Sequence, residues 1–167
     1  MVSEILFYHL ERQSLEEALP KLLEASLKRG WRAVVQAPDE ARVKALDEHL
    51  WRWRDDSFLP HGADGDERLQ GFAADQPIWV TAKDETPNDA QVLFLVEGAA
   101  RQALDDFERC VFMFNGRDEE GLAQARKKWS ELKQAGHDMT YWQQNNDGVW
   151  EKQAKFLATR AYLPYKA

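Results

Sequence analysis

The sequence predicts an α/β fold, a three-layer α/β/α arrangement with a mainly parallel sheet and a C-terminal hairpin. Strand-length apolar runs alternate with segments of helical periodicity, which calls for βαβ crossovers and a sheet covered on both faces. Runs such as Val92–Val96 (VLFLV) and Cys110–Asn115 (CVFMFN) are apolar nearly throughout, as buried strands are. The last two runs flank Asn145-Asn146-Asp147-Gly148, a hairpin-turn sequence.

Each element has local signals. Ile5–Leu10 (ILFYHL) is the first strand. Ser14-Leu15-Glu16-Glu17 is a capping box, opening a helix with Leu15, Leu19, Leu22, Leu23 and Leu27 on one stripe and Lys28-Arg29-Gly30 as its stop. Pro20 lies about a turn and a half inside, so this helix either starts later or is kinked. Arg32–Ala37 is the second strand, and Asp39 caps a second helix carrying Val43, Leu46 and Leu50 up to Trp53. Residues 55–76, with Pro60, Gly62, Gly65 and Gly71, form a long irregular stretch of a kind that often carries function. Pro77–Ala82 and Val92–Val96 are buried strands, and Ala99–Glu108 is a third helix turning Ala100, Ala103, Leu104 and Phe107 inward. The strand Cys110–Asn115 precedes a fourth helix, Glu119–Ala135, ended by Gly136; Met139–Gln144 and Val149–Gln153 make the hairpin.

A chain of 167 residues with 44% apolar and 31% charged residues fits one globular domain. Its formal charge of −7 argues against broad nucleic-acid binding, though not against a small basic patch. With Cys110 as the single cysteine, neither an internal disulfide nor a zinc site built on cysteine pairs can form. Met1-Val2-Ser3-Glu4-Ile5 lacks the features of a secretory signal, and no apolar run approaches the ~20 residues of a membrane span, so the cytoplasm is expected.

Catalytic chemistry finds no footing. The turn Glu11-Arg12-Gln13-Ser14 has neither a glycine fingerprint nor a phosphate-binding lysine loop, and Asn115-Gly116-Arg117-Asp118 has one glycine only. No nucleotide or other cofactor is expected. His9, His49, His61 and His137 are scattered without metal-ligand spacing; His61 beside Asp64 and Asp66 is read as a hydrogen-bonded loop histidine rather than a ligand. Ser57 lacks a nucleophile elbow, Cys110 reads as core, and Asp118-Glu119-Glu120 sits where a helix N-terminus favours negative charge, while Asp55-Asp56 reads as solvated.

Two constellations remain. In the fourth helix Leu122, Ala125, Trp129 and Leu132 make the seam, and Arg126 and Lys133 stand seven apart beside Trp129. Two cations bordering an indole suit an acidic peptide ending in an apolar side chain. In the second, Leu50–Gly62, Trp53 continues the inward stripe whereas Trp51 points off it, and Phe58 opens a loop; large apolar residues so placed either fold back or anchor a partner.

At these residues the sequence resembles the chi subunit of bacterial DNA polymerase III. Phe7-Tyr8, Leu50-Trp51 with Ser57-Phe58-Leu59-Pro60-His61, Gln76-Pro77 and the Asp118–Gly136 helix closing on Trp142 carry the resemblance, over about residues 1–144. It implies a chi-like α/β domain over 1–144 and a C-terminal extension over 145–167. It further implies a non-catalytic accessory subunit linking the clamp loader to the acidic C-terminal tail of single-stranded-DNA-binding protein, with DNA engaged only indirectly. Arg126, Trp129 and Lys133 would hold the tail; Leu122 and Ser130, where some members have further lysines, imply weaker affinity. Trp51 and Phe58 would meet the clamp-loader psi subunit or a helicase. The rival readings are an enzyme of nucleotide metabolism, which lacks a phosphate loop here, and direct single-strand binding through tryptophans, which the negative charge weakens.

Overall fold

The chain runs through β1 (Glu4–Leu10), α1 (Leu15–Lys28), β2 (Ala33–Gln36), α2 (Glu40–Arg52), β3 (Gly62–Ala63), β4 (Ile78–Thr81), β5 (Val92–Val96), β6 (Arg109–Asn115), α3 (Glu119–Gln134), β7 (Met139–Gln144) and β8 (Trp150–Phe156). The computed structural model describes residues 4–54 and 58–156. Asp55, Asp56 and Ser57, singled out above, lie outside the described residues. The eight strands form one sheet in the order β3-β4-β2-β5-β6-β1-β7-β8, parallel throughout except for the antiparallel β7–β8 hairpin.

Side-chain alternation along β1 divides the core in two. Leu6 and Leu10 join Val35, Val43, Leu46 and Met113 under α1 and α2. Ile5 and Phe7 join Leu93, Phe112, Ala125 and Leu132 under α3. The central strands are covered on both faces, which is why they read as unbroken apolar runs. Asn145 sets the hairpin turn: its Oδ1 accepts from the Asp147 and Val149 amides, and Gly148 takes the left-handed φ of 77°. This turn and β8 account for residues 145–156 of the extension; the remainder lies outside the described residues.

Helix α1 starts at the capping box, with Ser14 accepting from the Glu17 amide, so Pro20 causes no later start. Proline lacks the amide that would bond the Glu16 carbonyl one turn back. His49 of α2 replaces it, its Nε2–H donating to Glu16 O at 2.6 Å. Arg42 ties the same helix pair through the Glu16 carboxylate and also bonds Glu97.

Two expectations are corrected. Ala99–Glu108 is not a helix: β5 leads into Glu97 and Gly98, both at positive φ (53° and 84°), and an irregular crossover follows. Leu104 and Phe107 are buried as expected, whereas Ala100 and Ala103 are exposed. Arg101 is buried instead, donating to Glu85 O and Thr86 Oγ1, and this cross-loop anchoring replaces the helical ladder. The stretch read as irregular also contributes a strand, Gly62–Ala63, beside β4 at the sheet edge. A Cβ on Gly62 would lie 2.7 Å from Leu69 Cδ1, so the covering loop depends on that glycine.

The His49 bond should be visible in stability. His49→Ala is expected to cost about 1–2 kcal/mol by orphaning the Glu16 carbonyl. In a Pro20→Ala background the restored amide serves that carbonyl, and the cost should shrink. Urea denaturation of the four proteins measures the coupling, and equal costs in both backgrounds contradict this role for His49.

Candidate partner-binding surfaces

The first surface is built on α3. Asp118 caps it, accepting from the Gly121 amide, and Ala125 and Leu132 are buried against the sheet. Trp129, one turn on from Ala125, is partly buried. It meets Phe7 at 5.3 Å and Tyr141 at 5.8 Å between ring centroids, both nearly perpendicular. Arg126 and Lys133 are exposed on the same helix edge. Lys133 Nζ sits 5.2 Å from the Phe156 ring on β8. The three residues expected from sequence are thus together, facing an aromatic wall of Tyr141 and Phe156.

A relay centred on buried His9 holds the Tyr141 part of that wall. The Glu11 carboxylate can only accept, so His9 Nε2 donates to it at 2.8 Å; in the neutral ring Nδ1 then accepts the Tyr141 hydroxyl at 2.6 Å. The His9 bond keeps Glu11 below the usual carboxylate range. Burial pushes the Tyr141 phenol up to about 12, with the Arg126 charge opposing. The backbone of Gly116 packs on His9: a Cβ there would fall 1.8 Å from Nε2.

The second surface lies at the C-terminal end of α2. Trp51 is 50% exposed and Phe58 70% exposed, with ring centroids 5.8 Å apart. Trp53 is partly buried, with the Arg54 guanidinium 4.1 Å over its ring. Beneath Trp51, 4.5 Å away, lies the His61 ring. Its Nδ1 faces Leu59 O at 2.7 Å and its Nε2 faces Asp47 Oδ1 at 3.0 Å. Both nitrogens meet acceptors, so the imidazolium donates on both sides. Burial alone would lower the His61 pKa, but the Asp47 and Leu59 hydrogen bonds and the Asp47 charge outweigh it and raise it above the ordinary value. Asp64 and Asp66 are engaged elsewhere, by Lys83 and Arg68, and among the described residues no His, Cys, Asp and Glu side chains cluster as metal ligands. Cys110 is buried, which pushes its thiol up to about 12.

A cleft of about 900 Å³ opens at the C-terminal ends of β1, β5 and β6. The helix N-termini beside it are capped by Ser14 and Asp118, and Arg42 is held by Glu16 and Glu97. Among the described residues, no helix is long and apolar enough to cross a membrane.

The family model for the DNA polymerase III chi subunit, HolC, matches residues 2–140. The chain belongs to the DNA polymerase III chi subunit family. A probable DNA polymerase III subunit chi from Rickettsia prowazekii (strain Madrid E) is 28% identical over 89 residues, covering 53% of this chain and 52% of that protein. The matched segment therefore spans about half of the curated relative.

In this chi-family chain, sequence reasoning missed Tyr141 and Phe156 as parts of the α3 surface. Both lie beyond the family match, and only the β1–β7–β8 registers bring them beside α3. The Phe7–Tyr141 alternation was a usable signal, since both fall on inward positions of their strands; no local pattern points to Phe156.

His61 gives this chi surface a pH dependence. Because its folded pKa is raised, its stabilisation is fully present below the ordinary histidine value of about 6.5 and is lost as pH rises through the raised value. Denaturation across that window should show wild-type stability falling relative to His61→Gln. A pH-independent difference between the two proteins would contradict the His61–Asp47 pair.

Proposed function

We propose that this chain is a non-catalytic accessory subunit of the bacterial replicative polymerase, linking the clamp loader to the acidic C-terminal tail of single-stranded-DNA-binding protein. The observation that carries the reading is the α3 edge itself. Two exposed cations, one turn either side of Trp129, border an aromatic wall on a chain of formal charge −7. Carboxylates of the tail pair with Arg126 and Lys133, and its apolar terminal side chain packs beside Trp129 and Tyr141. Trp51 and Phe58 serve a separate partner, the clamp-loader psi subunit or a helicase. The sheet order favours simultaneous binding: α2 packs on β3 and β4, and Tyr141 stands on β7, five strand spacings or roughly 24 Å from β4.

Calorimetric titration of an acidic tail peptide tests the first surface. Charge-assisted hydrogen bonds contribute about 1.5–3 kcal/mol each, so Arg126→Ala should weaken binding by roughly ten- to a hundredfold. Lys133→Ala should cost less, as a point charge without the planar fork. Added salt should weaken binding further. Equal affinity for wild type and Arg126→Ala, both folded, would move the tail site elsewhere.

Trp51→Ala and Phe58→Ala should each cost roughly 2 kcal/mol or more in binding the clamp-loader or helicase partner while leaving tail affinity intact. Pull-down followed by titration measures both. Retention of every partner by the double variant would remove this surface from the account.

A further inference from the structure

Among the described residues, nothing covers the β7–β8 end of the sheet face that carries α1 and α2. Alternation and register put Tyr8 of β1, Trp142 of β7 and Trp150 of β8 on this face, while Phe7, Tyr141 and Phe156 point to the α3 side. Tyr8 and Trp142 lie nearly parallel at 6.3 Å, and Trp150 meets Tyr8 edge-on at 4.9 Å. All three rings stay partly exposed, because α1 packs mainly over β2 and β6.

Cations on β8 border this aromatic shelf. Lys152 stands opposite Trp142 with its Nζ 5.3 Å from the indole centroid, and Lys155 stands opposite Thr140 on the same face. Across the shelf runs α1. Its Glu16 and Glu24 flank is taken by Arg42 and Arg54 on the α2 side, and helical spacing places Lys21 on the outer ridge beside Glu17 and Glu24, away from the shelf. Among the described residues, no carboxylate lies within ion-pairing distance of Lys152 or Lys155. Glu4, whose charge bears on Tyr8, is paired with Arg109. Lysines on an edge strand also discourage strand pairing, but that role does not ask for an aromatic floor.

We propose that this shelf binds single-stranded nucleic acid, with bases stacking on the Trp142–Trp150–Tyr8 cluster and phosphates held by Lys152 and Lys155. Aromatic rings flanked by cations are the recurring means of holding a single strand without reading its sequence. A duplex buries its base faces and cannot use the rings. An acidic polypeptide matches the charge but brings no flat π-surface to the indoles. The overall negative charge of the chain confines the interaction to this strip and makes it short and salt-sensitive.

Fluorescence anisotropy of the full chain with a labelled oligothymidine of about fifteen nucleotides tests the proposal. Wild type should bind at low salt, with a log–log salt slope of about −1.4 for two phosphate contacts. Trp150→Ala should weaken binding about tenfold, with Trp150→Phe retaining most of it. Lys152→Glu and Lys155→Glu, at exposed positions that do not support the fold, should weaken it further and flatten the slope. Lys44→Glu, the same charge change on α2, should leave affinity nearly unchanged. The proposal is overturned by absence of wild-type binding, by equal affinity for a duplex of the same length, or by losses at Lys152 and Lys155 no larger than at Lys44. Displacement of the oligonucleotide by polyglutamate at equal charge concentration would assign the shelf to an acidic polypeptide instead.

Discussion

Strand β1 is paired on both sides by strands from the last third of the chain, β6 and β7, and both surfaces of the hairpin end depend on that placement. Its odd residues, Ile5, Phe7 and His9, face α3; its even residues, Leu6, Tyr8 and Leu10, face α1. Phe7 stacks on Phe112 at 4.7 Å and meets Trp129, so the helix with the candidate tail residues is seated on β1 directly. His9 then fixes Tyr141 and Glu11, and Gly116 leaves room for the imidazole. A one-residue slip would send Phe7 and His9 to the α1 side and empty the α3 surface of its floor.

The two candidate surfaces are supported by different physics. The α3 edge is an electrostatic and aromatic surface, with Lys133 beside the Phe156 ring and Tyr141 held by a hydrogen-bonded relay. The α2 end is an apolar patch on a charged support, where a buried His61–Asp47 pair pins the loop that presents Phe58 beside Trp51. The two candidate surfaces lie toward opposite ends of one sheet, an arrangement that would suit the proposed connector.

Much of this was legible in the sequence. The capping signals at Ser14, Asp39 and Asp118 fix the starts of the three α-helices among the described residues, and the apolar runs give the strands. Arg126, Trp129, Lys133, Trp51 and Phe58 stand out by type and spacing alone. What stayed hidden is non-local. Helical spacing of two alanines, Leu104 and Phe107 mimicked a helix, yet alanines contribute little burial and the buried Arg101 binds another loop. Pro20 looked like a defect until His49, far along the chain, supplied its missing donor. Phe156 and Tyr141 join the α3 surface only through strand register, which no single segment encodes.

The central claim is that one chain holds two partners through separate surfaces at once. Its most direct test is a titration of the acidic tail peptide into the chain alone and into the chain already saturated with the partner captured through Trp51 and Phe58. The account predicts the same affinity and a one-to-one stoichiometry in both cases. Loss of tail binding on saturation, or displacement of the partner by the peptide, would mean that the two share a surface and that the chain cannot connect them.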